Sequence, residues 1–215
     1  MSERKDKPLL VYFNGLGNGK PRLREALVMG NARVHGYKIV PTRTDWYARE
    51  PYSEQLATDI RSTRQLLGQT ATMVLVGSSA GVSRAINVFG GLADYEDLLG
   101  VVGLCGRVSE GNLPGRDLRT LERMSRAGKH VRSSPAFSES VRRVDTTVNE
   151  LPPGRLEDIV LMHHYADEVV PHQTQIIEGA SSELVWPPGH ALGVVAAGLM
   201  LPRVIDRHFL NLDPV

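Results

Sequence analysis

Ser79 lies at the centre of the sequence G-S-S-A-G, residues 77–81, which fits the pattern G-x-S-x-G. An apolar run at residues 72–76 precedes it, and apolar side chains at helical spacing follow it, so the pattern predicts a strand–turn–helix junction. A serine on such a sharp turn projects its hydroxyl above the sheet, and the flanking glycines remove Cβ atoms that would collide with neighbours. The following helix N-terminus favours developing negative charge. The residues therefore predict a nucleophilic serine, and the alternative is an ordinary Gly/Ser turn.

A serine hydroxyl is a weak nucleophile until a base removes its proton. Of the seven histidines, His190 is the best placed, because it ends the sequence P-P-G-H after the last predicted strand and before a helix. That position is a loop at the carboxyl edge of an open α/β sheet, where sites form. Asp167 opens D-E-V-V-P just after the preceding strand, where a carboxylate can orient the imidazole and stabilise the imidazolium. The neighbouring Glu168 is the competing acid.

Short apolar runs alternate with helical patterns along the chain, which is typical of βαβ units and a mostly parallel sheet. Strands are predicted at residues 9–13, 37–41, 72–76, 101–105, 158–162 and 184–186, and helices at about 22–35, 53–67, 82–89 and 191–210. Pro202 would either kink the last helix or start a second one. The predicted fold class is α/β, a three-layer sandwich around a mostly parallel sheet of about six strands.

Residues 106–153 separate the fourth and fifth predicted strands by more than a usual crossover. One helix is indicated by Leu118, Leu121 and Met124, which share a face, and a second opens at Ser134 and carries apolar residues as far as Leu151. We predict a single domain, residues 1–215, with a helical lid inserted at about 106–153. A pair of ordinary crossover helices is the alternative.

The composition is that of an ordinary globular protein: 215 residues, 41% apolar, 23% charged and a net charge of +1. That charge gives no global field to recruit nucleic acid. The single cysteine, Cys105, excludes an intrachain disulfide and is expected to be buried and structural. The first residues do not resemble a secretory signal, and the apolar run at 191–201 is too short for a membrane span. We expect a cytoplasmic protein with no membrane span and no nucleic-acid partner.

Two patterns partly match a cofactor or metal site, but each lacks residues that such a site requires. The loop G-L-G-N-G, residues 15–19, is somewhat like a dinucleotide loop, but its third glycine comes one place early for G-x-G-x-x-G. His163 and His164 resemble a metal pair, but adjacent residues on a strand point to opposite faces and no further ligands stand at suitable spacing. One of them is expected in the core and the other at the surface or facing the lid. We therefore expect no cofactor and no metal.

On these motifs the chain resembles the α/β-hydrolase superfamily over residues 9–210, as a compact serine esterase-like member. G-S-S-A-G matches the family's nucleophile elbow, D-E-V-V-P its acid loop and P-G-H its histidine loop, in the chain order that the family requires. Many relatives have His-Gly after the first strand, where this chain has Asn14 and Gly15. We expect the front hairpin of larger members to have no counterpart before Leu9.

The resemblance implies a serine hydrolase that cleaves a carboxylic ester, with a small-molecule ester or acyl compound as substrate. It implies a catalytic triad of Ser79, Asp167 and His190. It also implies an oxyanion hole formed by two backbone N–H groups, those of Ala80 and Leu16. A thioesterase, amidase or acyltransferase with the same triad remains open, as does a non-catalytic protein of this fold that binds a small ligand.

Overall fold

The computed structural model describes residues 7–16, 23–42, 44–109, 134–186 and 189–212. Its strands are β1 (Leu9–Phe13), β2 (Ile39–Pro41), β3 (Met73–Ser78), β4 (Leu98–Leu104), β5 (Ile159–His163) and β6 (Ser181–Leu184). They form one parallel sheet in the spatial order β2-β1-β3-β4-β5-β6. Its α-helices are α1 (Leu23–Val34), α2 (Tyr52–Leu67), α3 (Gly81–Gly90), α4 (Pro135–Asn149) and α5 (His190–Phe209).

Both faces of the sheet are covered, as the continuous apolar character of its central strands requires. Successive side chains of a strand point to opposite faces, so Met73 and Leu75 of β3 join one core cluster while Val74 and Val76 join the other. Helices α2, α3 and α4 pack on the first face, and α1 and α5 pack on the second. The predicted three-layer α/β sandwich with a six-stranded parallel sheet is confirmed.

The last strand differs from its prediction, because β6 spans Ser181–Leu184 and not residues 184–186. It lies at the sheet edge with alternating burial, so it pairs with β5 through its backbone and needs no apolar run. Trp186, which suggested a strand, is exposed. Pro202 lies inside α5, which continues through it as one helix.

Helix α4 belongs to the core of the sandwich. The Ser134 hydroxyl accepts a hydrogen bond from the Phe137 N–H at 3.2 Å and so caps the first turn. Phe137, Val141 and Val144 are buried in the cluster that α3 shares. The helix predicted through Leu118 lies outside the described residues, and the lid stays a prediction. None of the described helices combines the length and apolar character needed to cross a membrane.

Gly100 lies near the start of β4, at the end of the sheet away from Ser79. It provides a test of how closely the strands and helices pack there. A Cβ there would overlap the Asp158 carbonyl oxygen and lie 2.5 Å from a ring carbon of Phe209. We expect Gly100→Ala to lower the free energy of unfolding by about 2 kcal/mol or more, as measured by urea denaturation. The control is Gly30→Ala in α1, where a Cβ meets nothing within 4 Å. That variant should gain about 0.5–1 kcal/mol, and equal effects in the two variants would contradict the packing.

Candidate active site

Ser79 lies in a tight turn between β3 and α3 and has a φ of +52°, in the left-handed region that a non-glycine residue rarely adopts. Close packing on both sides holds it there. A Cβ at Gly77 would lie 2.6 Å from the Gly81 carbonyl oxygen and the Val82 Cα, and one at Gly81 would overlap the Phe13 carbonyl oxygen. Both glycines are therefore required, and they let α3 begin directly against the carboxyl end of β1.

The Ser79 side chain meets His190, the first residue of α5. The Ser79 Oγ lies 2.9 Å from the His190 Nε2, and Ser79 is 7% exposed. The Ser79 N–H donates to the Leu104 carbonyl at 2.9 Å, so the turn is fastened to the end of β4. The histidine reaches this place because the loop before it follows β6 at the same edge of the sheet.

Asp167 contacts the other nitrogen of the same imidazole. Its Oδ2 lies 2.8 Å from the His190 Nδ1, and its side chain is fully buried. Its Oδ1 accepts hydrogen bonds from the Val169 and Val170 N–H groups at 2.8 and 2.7 Å. The acid loop thus fixes the carboxylate, and the carboxylate fixes the ring with its Nε2 towards the serine.

Glu168, the competing acid, contacts a different part of the same histidine. Its Oε2 accepts a hydrogen bond from the His190 backbone N–H at 2.8 Å. A carboxylate at this position satisfies one of the N–H groups that a helix start leaves free, and it complements the helix dipole. Asp167 therefore contacts the ring, whereas Glu168 contacts the backbone at the start of α5.

The loop after β1 lies beside Ser79, and two buried side chains hold it. The Gly15 N–H donates to the Glu25 Oε1 at 2.9 Å, and the Trp46 Nε1–H donates to the Asn14 carbonyl at 3.3 Å. No sequence motif marks either Glu25 or Trp46. Glu25 stands in the first turn of α1, where an acidic residue normally serves the helix dipole, yet it is only 1% exposed.

The two predicted oxyanion donors belong to segments that adjoin Ser79, since a Cβ at Gly15, the residue before Leu16, would lie 3.2 Å from the Ser79 Cβ. Ala80 follows the serine directly, and Leu16 ends the described part of the loop after β1. Among hydrogen bonds between described residues, none is donated by the Ala80 or Leu16 N–H. The N–H of the residue before Leu16, Gly15, is already used, because it donates a hydrogen bond to the Glu25 side chain.

Both histidines at the end of β5 are buried, whereas one had been expected at the surface or facing the lid. The His163 Nδ1 lies 3.0 Å from the His172 Nε2, and the Tyr165 ring lies over His172 with a centroid separation of 4.2 Å. His164 points the other way, with its Nε2 3.3 Å from the Asp167 Oδ2. Within the described ranges, no group of three or more His, Cys, Asp or Glu side chains is placed to hold a metal.

Cys105, at the end of β4, is buried as expected. Burial, together with the nearby charge of Asp167, raises the pKa of its thiol to about 12. A thiol in this environment stays protonated near neutral pH, which does not favour a nucleophilic role.

Comparison with models of protein families and with curated proteins finds no match. Solved structures do match. An esterase of Pyrococcus furiosus shares 12% identity at a TM-score of 0.65, over 96% of this chain and 83% of that one. A lipase of Bacillus licheniformis shares 13% at 0.64, over 95% and 93%. A metagenome-derived lipolytic enzyme shares 14% at 0.61, over 94% of each chain. Identities this low establish a shared fold and leave the activity to be argued from the site.

His163 and His172, which contact each other beside the acid loop, predict that the protein loses stability in mild acid. Burial, and then the neighbouring histidines, lower the pKa of His163 below its ordinary 6.5, and burial and the charge of His164 lower the pKa of His172. The unfolded chain therefore binds more protons below about pH 6.5, so the free energy of unfolding falls as the pH drops. His172→Phe keeps a ring under Tyr165 and removes one of these groups.

We expect the His172→Phe variant to lose less stability than the wild type between about pH 7 and about pH 5, as measured by urea denaturation at each pH. His35→Gln, at the exposed C-terminal end of α1, is the control and should follow the wild type. An unchanged pH dependence in His172→Phe would contradict the assignment.

Proposed function

The chain has the α/β-hydrolase fold, and on that premise we propose that it is a serine hydrolase that cleaves a carboxylic ester through an acyl-enzyme. One observation carries the proposal. The Ser79 Oγ, the two nitrogens of His190 and the Asp167 Oδ2 form a continuous chain of contacts at 2.9 and 2.8 Å. The fold neighbours named as esterases and lipases favour an ester substrate.

In the proposed reaction the Ser79 Oγ attacks the acyl carbon while the His190 Nε2 takes its proton. His190 then returns that proton to the leaving alcohol oxygen, and the ester C–O bond breaks. Water, deprotonated by the same imidazole, attacks the acyl-enzyme, and the proton goes back to the Ser79 oxygen. Asp167 keeps the Nδ1–H of His190 towards itself and stabilises the transient imidazolium.

The negative charge that develops on the acyl oxygen needs donors near Ser79. The Ala80 N–H lies at the start of α3, where the helix dipole also favours an anion. The Leu16 N–H is the proposed second donor. The fixed loop before Leu16 supports this role. In that loop the Gly15 N–H donates to Glu25, and the Asn14 carbonyl accepts from Trp46.

A fluorophosphonate probe should label Ser79, and Ser79→Ala should lose both this labelling and the turnover of p-nitrophenyl esters. Because the nucleophile is removed, we expect kcat to fall on the order of 10³-fold or more. Ser78→Ala is the matched control, since Ser78 is the buried residue before Ser79 and takes no part in the contacts among Ser79, His190 and Asp167. It should keep both labelling and turnover.

Two results would end this proposal. One is a folded Ser79→Ala variant with wild-type turnover. The other is a wild-type protein that turns over no ester of any chain length yet binds a small ligand tightly and saturably, which would favour a non-catalytic binder. Preferential turnover of thioesters or amides would keep the triad and change the substrate class.

Asp167→Asn and Glu168→Gln separate the two neighbouring acids. An asparagine amide facing the His190 Nδ1 favours the wrong tautomer, so we expect kcat/KM to fall roughly 10³-fold or more. The glutamine Oε1 can still accept the His190 backbone N–H, so Glu168→Gln should cost less than about tenfold. Both are measured on p-nitrophenyl esters, and a larger loss in Glu168→Gln would reverse the assignment.

A further inference from the structure

His164 is a buried imidazole that the proposed reaction does not use. It is 2% exposed, and neither of its ring nitrogens makes an aligned hydrogen bond with another described residue. Its Nε2 nevertheless lies 3.3 Å from the Asp167 Oδ2, the same oxygen that contacts the His190 Nδ1. A buried polar side chain without an aligned partner is costly, so its position requires an explanation.

The fold leaves space for this ring at one specific place. A Cβ on Gly193 of α5 would lie 2.6 Å from the His164 Cδ2 and Nε2, and 3.3 Å from the Cys105 Sγ. The imidazole thus packs directly on the first turn of the helix that begins with His190. Only a glycine at position 193 lets the His164 Nε2 approach the carboxylate.

The short distance also determines which way the imidazole is protonated. A nitrogen lone pair 3.3 Å from a carboxylate oxygen would be repelled by it, and burial weakens the screening. The His164 Nε2 therefore carries the hydrogen and turns a positive N–H edge towards Asp167. The Asp167 Oδ1 already has the Val169 and Val170 N–H groups and Oδ2 has the His190 Nδ1, so the His164 Nε2–H is a fourth, off-axis contact of the carboxylate.

We propose that His164 is a positioning residue for Asp167, whose Nε2–H restrains the carboxylate oxygen that orients His190. Without it, Oδ2 would keep only its contact with the His190 Nδ1 and would be less restrained, since the Val169 and Val170 N–H groups hold only Oδ1. Catalytic hydrogen bonds that are poorly aligned in the free protein often tighten in the transition state, so the off-axis contact suits this role. This inference rests on the proposed function, because the positioning matters only if His190 is the base.

The test compares His164→Gln with His164→Met. Glutamine offers an N–H near the position of the lost Nε2, and methionine matches its length without a donor. We expect His164→Met to lose about tenfold in kcat per active site titrated with fluorophosphonate, with KM unchanged because the buried side chain does not reach substrate. His164→Gln should recover most of the loss. Equal losses in both variants, or none in either, would overturn the proposal.

Gly193→Ala tests the same contact from the other side, should the methionine variant not fold. Its Cβ would displace the imidazole, so kcat should fall by a similar factor. In a His164→Gln background, where the flexible side chain can move aside, the added alanine should cost less. A Gly193→Ala variant with wild-type kcat would overturn the proposal.

A readout without substrate keeps this inference separate from the proposed function. The proton on the His190 Nδ1 should resonate further upfield in His164→Met than in the wild type, because the less restrained carboxylate then holds this N–H in a longer hydrogen bond. This shift is expected even if no ester is turned over. An unmoved resonance would refute the contact, whereas a moved resonance without esterase activity would refute only the proposed reaction.

Discussion

The close approach of α3 to the end of β1 is the constraint on which the site depends. Gly81 lies directly against the Phe13 carbonyl, so a residue with a Cβ does not fit at this position. The chain must therefore turn sharply within residues 79 and 80. Ser79 takes up that turn at a φ of +52°, a conformation that costs on the order of 1–3 kcal/mol. Burial of β3 on both faces offsets this cost, since it anchors the strand on one side of the turn.

Parallel topology brings the other two side chains to the same edge. The strands β3, β5 and β6 all end on the side where Ser79 turns, so the loops that follow β5 and β6 meet above it. There His190 starts a helix while Asp167 and Glu168 divide its contacts between ring and backbone. Two adjacent acids thus do different work, because the acid loop aims one at the imidazole and the other at the helix start.

Local patterns predicted the elements well where both faces of a strand are buried. The strand β1 was predicted at its observed bounds, and β3 and β5 within two residues of theirs, because a fully covered strand needs a continuous apolar run. The edge strand β6 was misplaced, since its position follows from backbone pairing with β5 rather than from its side chains. Ser79, Asp167 and His190 were singled out because each follows a strand and lies in a short motif.

The sequence by itself determined the α/β sandwich and the three residues of the proposed triad, since periodicity and turn chemistry are local properties. Only the tertiary structure decided what surrounds them. Glu25 is ten residues from the amide it accepts, and Gly193 makes room for a histidine twenty-nine positions earlier. Nothing in the local sequence distinguishes these residues from ordinary helix positions, because their roles arise from packing between elements that are distant along the chain.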